Sequence, residues 1–296
     1  MSGIRSGRTV LTIEVSNPSG AIFHGANRPS HNEAWLWLTA LFVLSTIAVR
    51  SDAASILSFV YSMLNHNLVY WFAYAVIVRF LLSSNGEKEG PKLKFALLFG
   101  VPLMFLTGLS GLKSLDGLVA LLFGFLLLKR SNCPSQNAAG IVFLALSANF
   151  LWGPIAFAIF KDTIITADAI LTEVFLNLQG YDVVRQDYRL GTSEDHRVMI
   201  VGSCSSFNNI TLAALAAVTA LVAVKGKLSR QDLVPLLAVC LVMLCFNTIR
   251  LAVFASSYEA YLYWHEGAGA GLLSLISTAL VVLSSACIAM PRRFTE

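Results

Sequence analysis

The chain has 296 residues, of which 56% are hydrophobic and 13% are charged, and its mean hydropathy is +0.70. A water-soluble globule of this composition would have to bury more apolar surface than it can, so the composition excludes that class and predicts an integral membrane protein. The net charge of +4 does not indicate a nucleic-acid partner, because the Lys and Arg residues stand in short clusters between apolar runs, where they orient membrane helices.

Residues 1–33 are polar, and we predict that they form a cytoplasmic N-terminal segment. A series of apolar segments follows them. A membrane-spanning helix needs about 20 predominantly apolar residues. The segments that meet or approach this length are 34–50, 67–83, 95–111, 115–129, 138–160, 203–224, 232–255 and 268–290. Residues 53–64 are apolar but too short to span, which is typical of an interfacial or re-entrant helix. The pattern predicts an all-α polytopic membrane protein of about eight transmembrane helices, in a single domain over residues 34–296.

The basic residues predict how these helices are oriented. The loops after the second, fourth and sixth segments and the C-terminal tail hold Lys88, Lys92, Lys94, Lys129, Arg130, Lys225, Lys227, Arg230, Arg292 and Arg293. The loop after the seventh segment has no Lys or Arg and carries Glu259 and Glu266. Because basic loops stay in the cytoplasm, we predict a multi-pass protein of the plasma (inner) membrane with both termini in the cytoplasm.

A longer connection, about residues 161–202, separates the fifth segment from the sixth and is predicted to lie outside the cytoplasm. Its first half has helical periodicity, with an apolar face made of Ile164, Ala167, Ile170, Leu171, Val174, Phe175 and Leu178. This pattern predicts a small extracytoplasmic amphipathic helix on the outer surface. Residues 181–190 and 196–201, separated by turn-forming residues at 191–195, predict a β-hairpin that leads into the sixth segment.

Three residues with catalytic chemistry are brought to the outer face by this topology. Cys204 begins the sixth span, Arg250 lies near the end of the seventh, and His265 ends the loop before the eighth. Cys204 and Arg250 should each lie within roughly 5–8 Å of the outer hydrocarbon boundary. A cysteine attacks as its thiolate, which a nearby cation or a helix N-terminus favours. Arg250 can equally stabilise an oxyanion, and His265 can transfer protons.

Polar residues flank this site within the predicted catalytic core, about residues 198–290. We assign four of them as substrate-binding or supporting residues: Ser205, Asn208, Asn247 and Glu266. The two asparagines lie one helical turn from the cysteine and the arginine respectively, so both can hydrogen-bond within the pocket. The histidines, cysteine and acidic residues do not have the paired spacing of a zinc site, and we predict neither a metal nor another cofactor.

Each candidate also has an ordinary structural explanation. A cysteine at a helix end is commonly a packing residue, and a histidine that follows Trp264 can be an interfacial anchor. Intramembrane asparagines commonly join helices by hydrogen bonds. Arg250 is harder to explain in this way, because an arginine inside a span costs at least about 2.5 kcal/mol at the membrane centre and usually marks function.

The sequence resembles the exosortase/archaeosortase family of polytopic membrane cysteine transpeptidases, which process C-terminal sorting tails. The resemblance lies in residues 198–206, which read VMIVGSCSS, in NTIR at 247–250, and in Trp264-His265 before a Gly-rich final helix. It covers mainly the last 130 or so residues. The resemblance implies that Cys204 is the nucleophile, that Arg250 is the thiolate or oxyanion partner, and that His265 is the general acid/base.

The resemblance further implies a substrate and a reaction. The substrates would be exported membrane proteins whose C-terminal tail has a short motif, a transmembrane helix and a basic end. Cys204 would attack a backbone carbonyl just outside the bilayer, expel the tail and hold the remainder as a thioester for transfer to an amine or water.

Two non-enzymatic hypotheses compete with this one. The protein could be a transporter or channel in which Arg250 binds an anionic solute. It could also be a scaffold for envelope polysaccharide assembly, in which the long outer connection binds a partner.

Overall fold

The computed structural model describes residues 31–48, 67–83, 91–110, 112–129, 133–193 and 196–290, and these are almost entirely helical. The first helices are α1 (His31–Ala48), α2 (Leu68–Ser83), α3 (Pro91–Phe95), α4 (Val101–Ser110), α5 (Lys113–Leu128), α6 (Pro134–Ser147) and α7 (Gly153–Leu178). They are followed by α8 (Ser206–Lys225), α9 (Leu233–Ser256), α10 (Tyr258–Tyr261) and α11 (Gly269–Ala289). Turns of π-helix at Ala96–Gly100 and Ala148–Trp152 join α3 to α4 and α6 to α7.

The described helices coincide with the predicted apolar segments, but only some of them are long enough to be identified as membrane spans. Four stretches are long and apolar enough to cross a membrane: Pro134–Leu178, Ser206–Lys225, Arg230–Ser256 and Gly269–Ala289. Four shorter apolar helices coincide with the first four predicted segments: Glu33–Ala48, Leu68–Ser83, Leu93–Thr107 and Ser114–Leu128. The protein is therefore a helical membrane protein, and a total of eight spans stays a prediction. The helix predicted at 53–64 and most of the segment at 1–33 lie outside the described residues.

The N-terminal helices form a tightly packed support for the rest of the chain. Phe42, Phe123 and Phe143 are fully buried, with ring centroids 5.5–6.4 Å apart in edge-on or tilted pairs. Helices α5 and α6 approach closely, because a Cβ added at Gly124 would lie 2.7 Å from Leu144 and 2.9 Å from the carbonyl oxygen of Gly140. Such small-residue contacts let helix backbones pack closely inside a membrane.

The insertion differs from its prediction in two respects. The amphipathic helix is the second half of α7 and is bent from the fifth segment at Phe160, whose φ of −106° and ψ of 16° are not helical. Its buried face contains Ile165, Asp168, Ala169, Thr172 and Leu176, whereas most of the predicted apolar face is exposed, with Leu178 at 81%. Apolar periodicity predicted this helix correctly, and its apolar face is largely exposed because a bilayer accepts apolar side chains on the outside of the protein.

The predicted hairpin is a three-stranded antiparallel sheet. It consists of β1 (Val184–Gln186), β2 (Arg189–Gly191) and β3 (Val198–Met199), in the order β1-β2-β3. A tight turn at Asp187, whose φ is +55°, divides the segment predicted as one strand into β1 and β2. Asp is among the few residues that tolerate this left-handed conformation. The sheet leaves β3 at an edge, directly before Cys204.

The turn between α8 and α9 reverses the chain, so that α9 runs back toward the end of the bundle where the sheet lies. Helix α8 ends at Gly226, which adopts a left-handed φ of +69°. Asp232 then accepts hydrogen bonds from the backbone N–H and the hydroxyl of Ser229, and it contacts the ammonium group of Lys225. This capping arrangement fixes the start of α9, so that its far end lies beside the start of α8.

Candidate active site

Cys204 is held in a turn immediately before α8. Its N–H donates to the carbonyl oxygen of Val201 at 2.8 Å, and the N–H of Ser205 donates to Gly202 at 3.3 Å. Ser205 is the N-cap of α8, and its hydroxyl accepts the N–H of Phe207 at 3.2 Å. The cysteine side chain is partly buried and is not in a disulfide. The turn therefore presents the sulfur at the mouth of the helix bundle.

Two side chains of α9 hold the backbone carbonyl of Cys204. Arg250 Nη2 donates to this oxygen at 3.0 Å and Asn247 Nδ2 donates to it at 3.2 Å. Asn247 is fully buried and accepts a hydrogen bond from Asn209 Nδ2 at 3.2 Å. The predicted proximity of Cys204, Arg250 and Asn247 is thus present in the structure. Asn209 belongs to the same chain of amides, whereas the residue predicted from the sequence is its neighbour Asn208.

Not every N–H of the Arg250 guanidinium is used in a hydrogen bond within the protein. Its Nε is buried and has no hydrogen-bond partner among the described residues. The guanidinium carbon lies 5.8 Å from the centre of the Phe254 ring, which orients the group by a cation–π contact. A positive charge with an unused N–H can stabilise negative charge that develops on a neighbouring atom.

His265 lies in a turn of π-helix, Leu262–Glu266, between α10 and α11. Its ring stacks on Tyr261, with centroids 4.8 Å apart and an interplanar angle of 14°, and it meets the edge of Phe254 at 5.2 Å. Among the described residues it makes ring contacts and no hydrogen bond, and it is exposed. Partial burial raises the pKa of Tyr261, and the nearby carboxylate of Glu266 raises it further.

Asp168, a carboxylate on α7 that is only 3% exposed, also belongs to the site and was not predicted from the sequence. Its Oδ2 accepts the hydroxyl of Ser205 at 2.8 Å and the N–H of Ser206 at 3.0 Å. Asp168 and Ser205 therefore occupy the first amides of α8, and the helix N-terminus that we expected to favour a thiolate is already capped. The signal for finding Asp168 was its place in an otherwise apolar run beside a membrane span.

The other predicted residues have different neighbours. Asn208 donates to the carbonyl oxygen of Gly202 at 3.3 Å, on the turn that carries Cys204. Ser205 is 1% exposed and supports the helix start, while Glu266 is exposed beside Tyr261. His196 Nε2 lies 2.9 Å from the carbonyl oxygen of Phe254. Within the described ranges, no group of three or more His, Cys, Asp and Glu side chains could hold a metal ion.

Two cavities meet at Cys204. The helix-side cavity, of about 350 Å³, lies among α8, α9 and α11, and its lining includes Cys204, Asn209, Arg250, His265, Ser277 and Thr278. The sheet-side cavity, of about 460 Å³, lies between β3 and α10, and its lining includes His196, Val198, Met199, Cys204, Tyr258 and His265. Cys204, His265 and Ser203 border both cavities. A chain entering either cavity would reach the sulfur and the imidazole together.

Comparison with known proteins gives one family for this arrangement. The family model described as Transmembrane exosortase matches residues 61–283, a range that includes Cys204, Arg250 and His265. No curated protein and no solved structure matches the chain. The family match covers well over half of the sequence and agrees with the resemblance found in residues 198–206 and 247–250. The chain belongs to the transmembrane exosortase family.

Proposed function

We propose that this exosortase is a membrane-embedded cysteine protease or transpeptidase that removes C-terminal sorting tails from exported proteins at the outer face of the membrane. Family membership supports a sorting transpeptidase role in general. The observation that carries the finer proposal is the contact between Arg250 Nη2 and the Cys204 carbonyl at 3.0 Å, beside cavities that Cys204 shares with His265.

The reaction begins when the Cys204 thiolate attacks a backbone carbonyl carbon of the substrate. The new S–C bond pushes the carbonyl electrons onto oxygen, and an N–H of Arg250 donates to the resulting oxyanion. As the oxyanion collapses, the C–N bond breaks and the imidazolium of His265 gives its proton to the leaving amine. The tail departs with the new amino terminus, and the exported portion remains on Cys204 as a thioester.

The second half of the reaction releases the exported portion. An amine or a water molecule attacks the thioester carbonyl while neutral His265 accepts its proton, and Cys204 leaves as a thiolate. The products are an amide with the amine or a carboxylic acid with water, and the enzyme returns to its starting charge. The guanidinium of Arg250 serves both oxyanions, because each forms at the same carbonyl.

Replacing the proposed nucleophile tests this function directly. Cys204→Ala should leave tail-bearing precursors uncut in cells, as detected by mass spectrometry of the C-termini of exported membrane proteins. Cys245→Ala is the matched control, because this cysteine is exposed on α9 and borders neither cavity. We expect the control to process tails like the wild type. Normal tail removal by Cys204→Ala at equal protein level would refute the proposal.

The same variants separate the non-enzymatic hypotheses. An anion transporter would lose solute uptake on replacement of Arg250 but would tolerate Cys204→Ala. A scaffold would tolerate both replacements and would lose its partner when the outer part of α7 is removed. A tail-removing enzyme needs both residues and releases a tail fragment.

A further inference from the structure

The two cavities divide the surroundings of Cys204 into an upper and a lower compartment. The sheet-side cavity lies beside β3 and α10, at the end of the bundle where α9 finishes. The helix-side cavity extends from Cys204 to Leu212 along α8, about 12 Å, and from Ala270 to Val281 along α11, about 16 Å. A polymer that crosses Cys204 would therefore have one part at the sheet and the other part among the membrane helices.

The wall of the helix-side cavity includes polar side chains of the predicted sixth and eighth spans, where lipid would offer no hydrogen bonds. Ser277 and Thr278 of α11 and Asn209 of α8 all line it. A scissile carbonyl in a helix is already bonded to the N–H four residues later, so the reacting part of a tail must unwind before attack. An unwound backbone within the membrane needs partners for its N–H and C=O groups. Hydroxyls and carboxamides supply donors and acceptors. The Thr278 hydroxyl already donates to the carbonyl oxygen of Ser274 at 3.0 Å, so it offers a substrate its acceptor lone pairs.

The sheet-side cavity offers a different kind of surface. Val198 and Met199 of β3 line it, and β3 is the edge strand of the sheet, paired with β2 on its other side. An edge strand presents backbone N–H and C=O groups to an extended chain. Met199 is 45% exposed, so its side chain is accessible to such a chain.

We propose that the substrate crosses Cys204 as an extended segment in one fixed direction. Residues before the scissile bond lie along β3 in the sheet-side cavity, and the first residues after it lie in the helix-side cavity against Ser277 and Thr278. A depth of about 12–16 Å accommodates four or five extended residues at about 3.3 Å each. This subsite assignment rests on the proposed function, because it requires that Cys204 cleaves a membrane-anchored tail.

Filling the helix-side cavity tests the assignment. The probe is an exported reporter that carries the tail of a protein whose processing requires Cys204. Ser277→Phe should lower the rate of tail removal at least about tenfold, the effect of losing two hydrogen bonds of about 0.7 kcal/mol each. Labelling of Cys204 by iodoacetamide should persist, because the small reagent can enter from the sheet side. Ile276→Phe is the matched control, since Ile276 is the preceding residue and is exposed on the outer face of α11.

Crosslinking tests the direction without relying on activity. A photoreactive amino acid replaces Ser277 or Met199 in the full-length Cys204→Ala protein, which holds the reporter uncut in membranes. Position 277 should attach to the reporter after its cleavage site, and position 199 should attach before it. Reversed attachment, or attachment at neither position, would overturn the assignment.

The two proposals fail in different ways. If Cys204→Ala still removes tails, the proposed function is wrong. If Cys204→Ala blocks removal while Ser277→Phe removes tails as fast as Ile276→Phe does, only the subsite assignment is wrong.

Discussion

Replacing Arg250 with lysine separates the two roles that we assign to its guanidinium. Lysine keeps the positive charge that favours the Cys204 thiolate but lacks the planar fork of N–H donors. The turn that carries Cys204 should survive this change, because Asn247 still donates to the Cys204 carbonyl at 3.2 Å. The variant therefore tests whether the fork of guanidinium N–H donors of Arg250, which borders the helix-side cavity, takes part in the reaction.

The expected magnitudes differ for the two roles. A cation and a thiolate about 4 Å apart attract by about 4 kcal/mol at an effective dielectric constant of 20, and this attraction remains in Arg250→Lys. Loss of one oxyanion donor slows acyl transfer by about 100-fold to 1,000-fold, or about 2.7–4 kcal/mol. We expect tail removal to fall by about 100-fold while iodoacetamide labelling of Cys204 at neutral pH keeps its order of magnitude.

The assay measures tail removal and thiol labelling on the same membranes. Arg79→Lys is the matched control, because Arg79 donates to the carbonyl of Ala223 at 3.2 Å near the opposite end of α8. It should leave both rates unchanged. If Arg250→Lys slows labelling and tail removal by the same factor, the arginine acts on the thiolate alone. If Arg250→Lys retains full activity, the assignment of a guanidinium N–H to the oxyanion is wrong.

Two further changes test the support of the site. Asp168→Ala should slow tail removal and destabilise the protein by at least about 3 kcal/mol, since it removes two hydrogen bonds to a charged acceptor worth about 1.5–3 kcal/mol each. Asp168→Asn keeps a carbonyl acceptor and should recover most of this loss, as measured by thermal unfolding and tail removal. Asp162→Asn, at an exposed position of the same helix, is the control. If Asp168→Ala behaves like the wild type, Asp168 does not support the site. Because the pKa of Tyr261 is raised in the folded protein, the folded state keeps the phenol proton at a pH near 10 where the unfolded state loses it. The free energy of unfolding therefore falls as the pH rises through about 10. Tyr261→Phe should remove this loss in thermal unfolding between about pH 9 and 11, and identical pH slopes would contradict it.

The sequence predicted the helices and the proximity of Cys204 to Arg250 because both depend on length and polarity along the chain. Apolar segments mark membrane helices regardless of their neighbours. An arginine near one end of α9 and a cysteine before α8 reach the same end of the bundle once the helices alternate in direction. The structure confirms this proximity through the 3.0 Å hydrogen bond from Arg250 to the Cys204 carbonyl.

The sequence could not predict which side of α7 packs inward. Leu178 and Val174 are exposed on its apolar face, while Asp168 lies on the packed face. In a water-soluble protein an apolar face marks the core, but a bilayer accepts apolar side chains on the outside. The hydrogen-bond partner of Asp168 could not be predicted either, because Ser205 is 37 residues away in the sequence. The short strands were hard to resolve since one left-handed residue, Asp187, decides where the hairpin turns.

The amide chain from Asn209 through Asn247 to the Cys204 carbonyl has a practical consequence for handling the protein. These hydrogen bonds join α8 and its preceding turn to α9, so a detergent that loosens the packing of the helices would break them. Each helix would still keep its own backbone hydrogen bonds. Far-ultraviolet circular dichroism would then report intact secondary structure in a sample whose candidate site has come apart. Purified preparations should therefore be judged by the reactivity of the sulfur and not by their helicity.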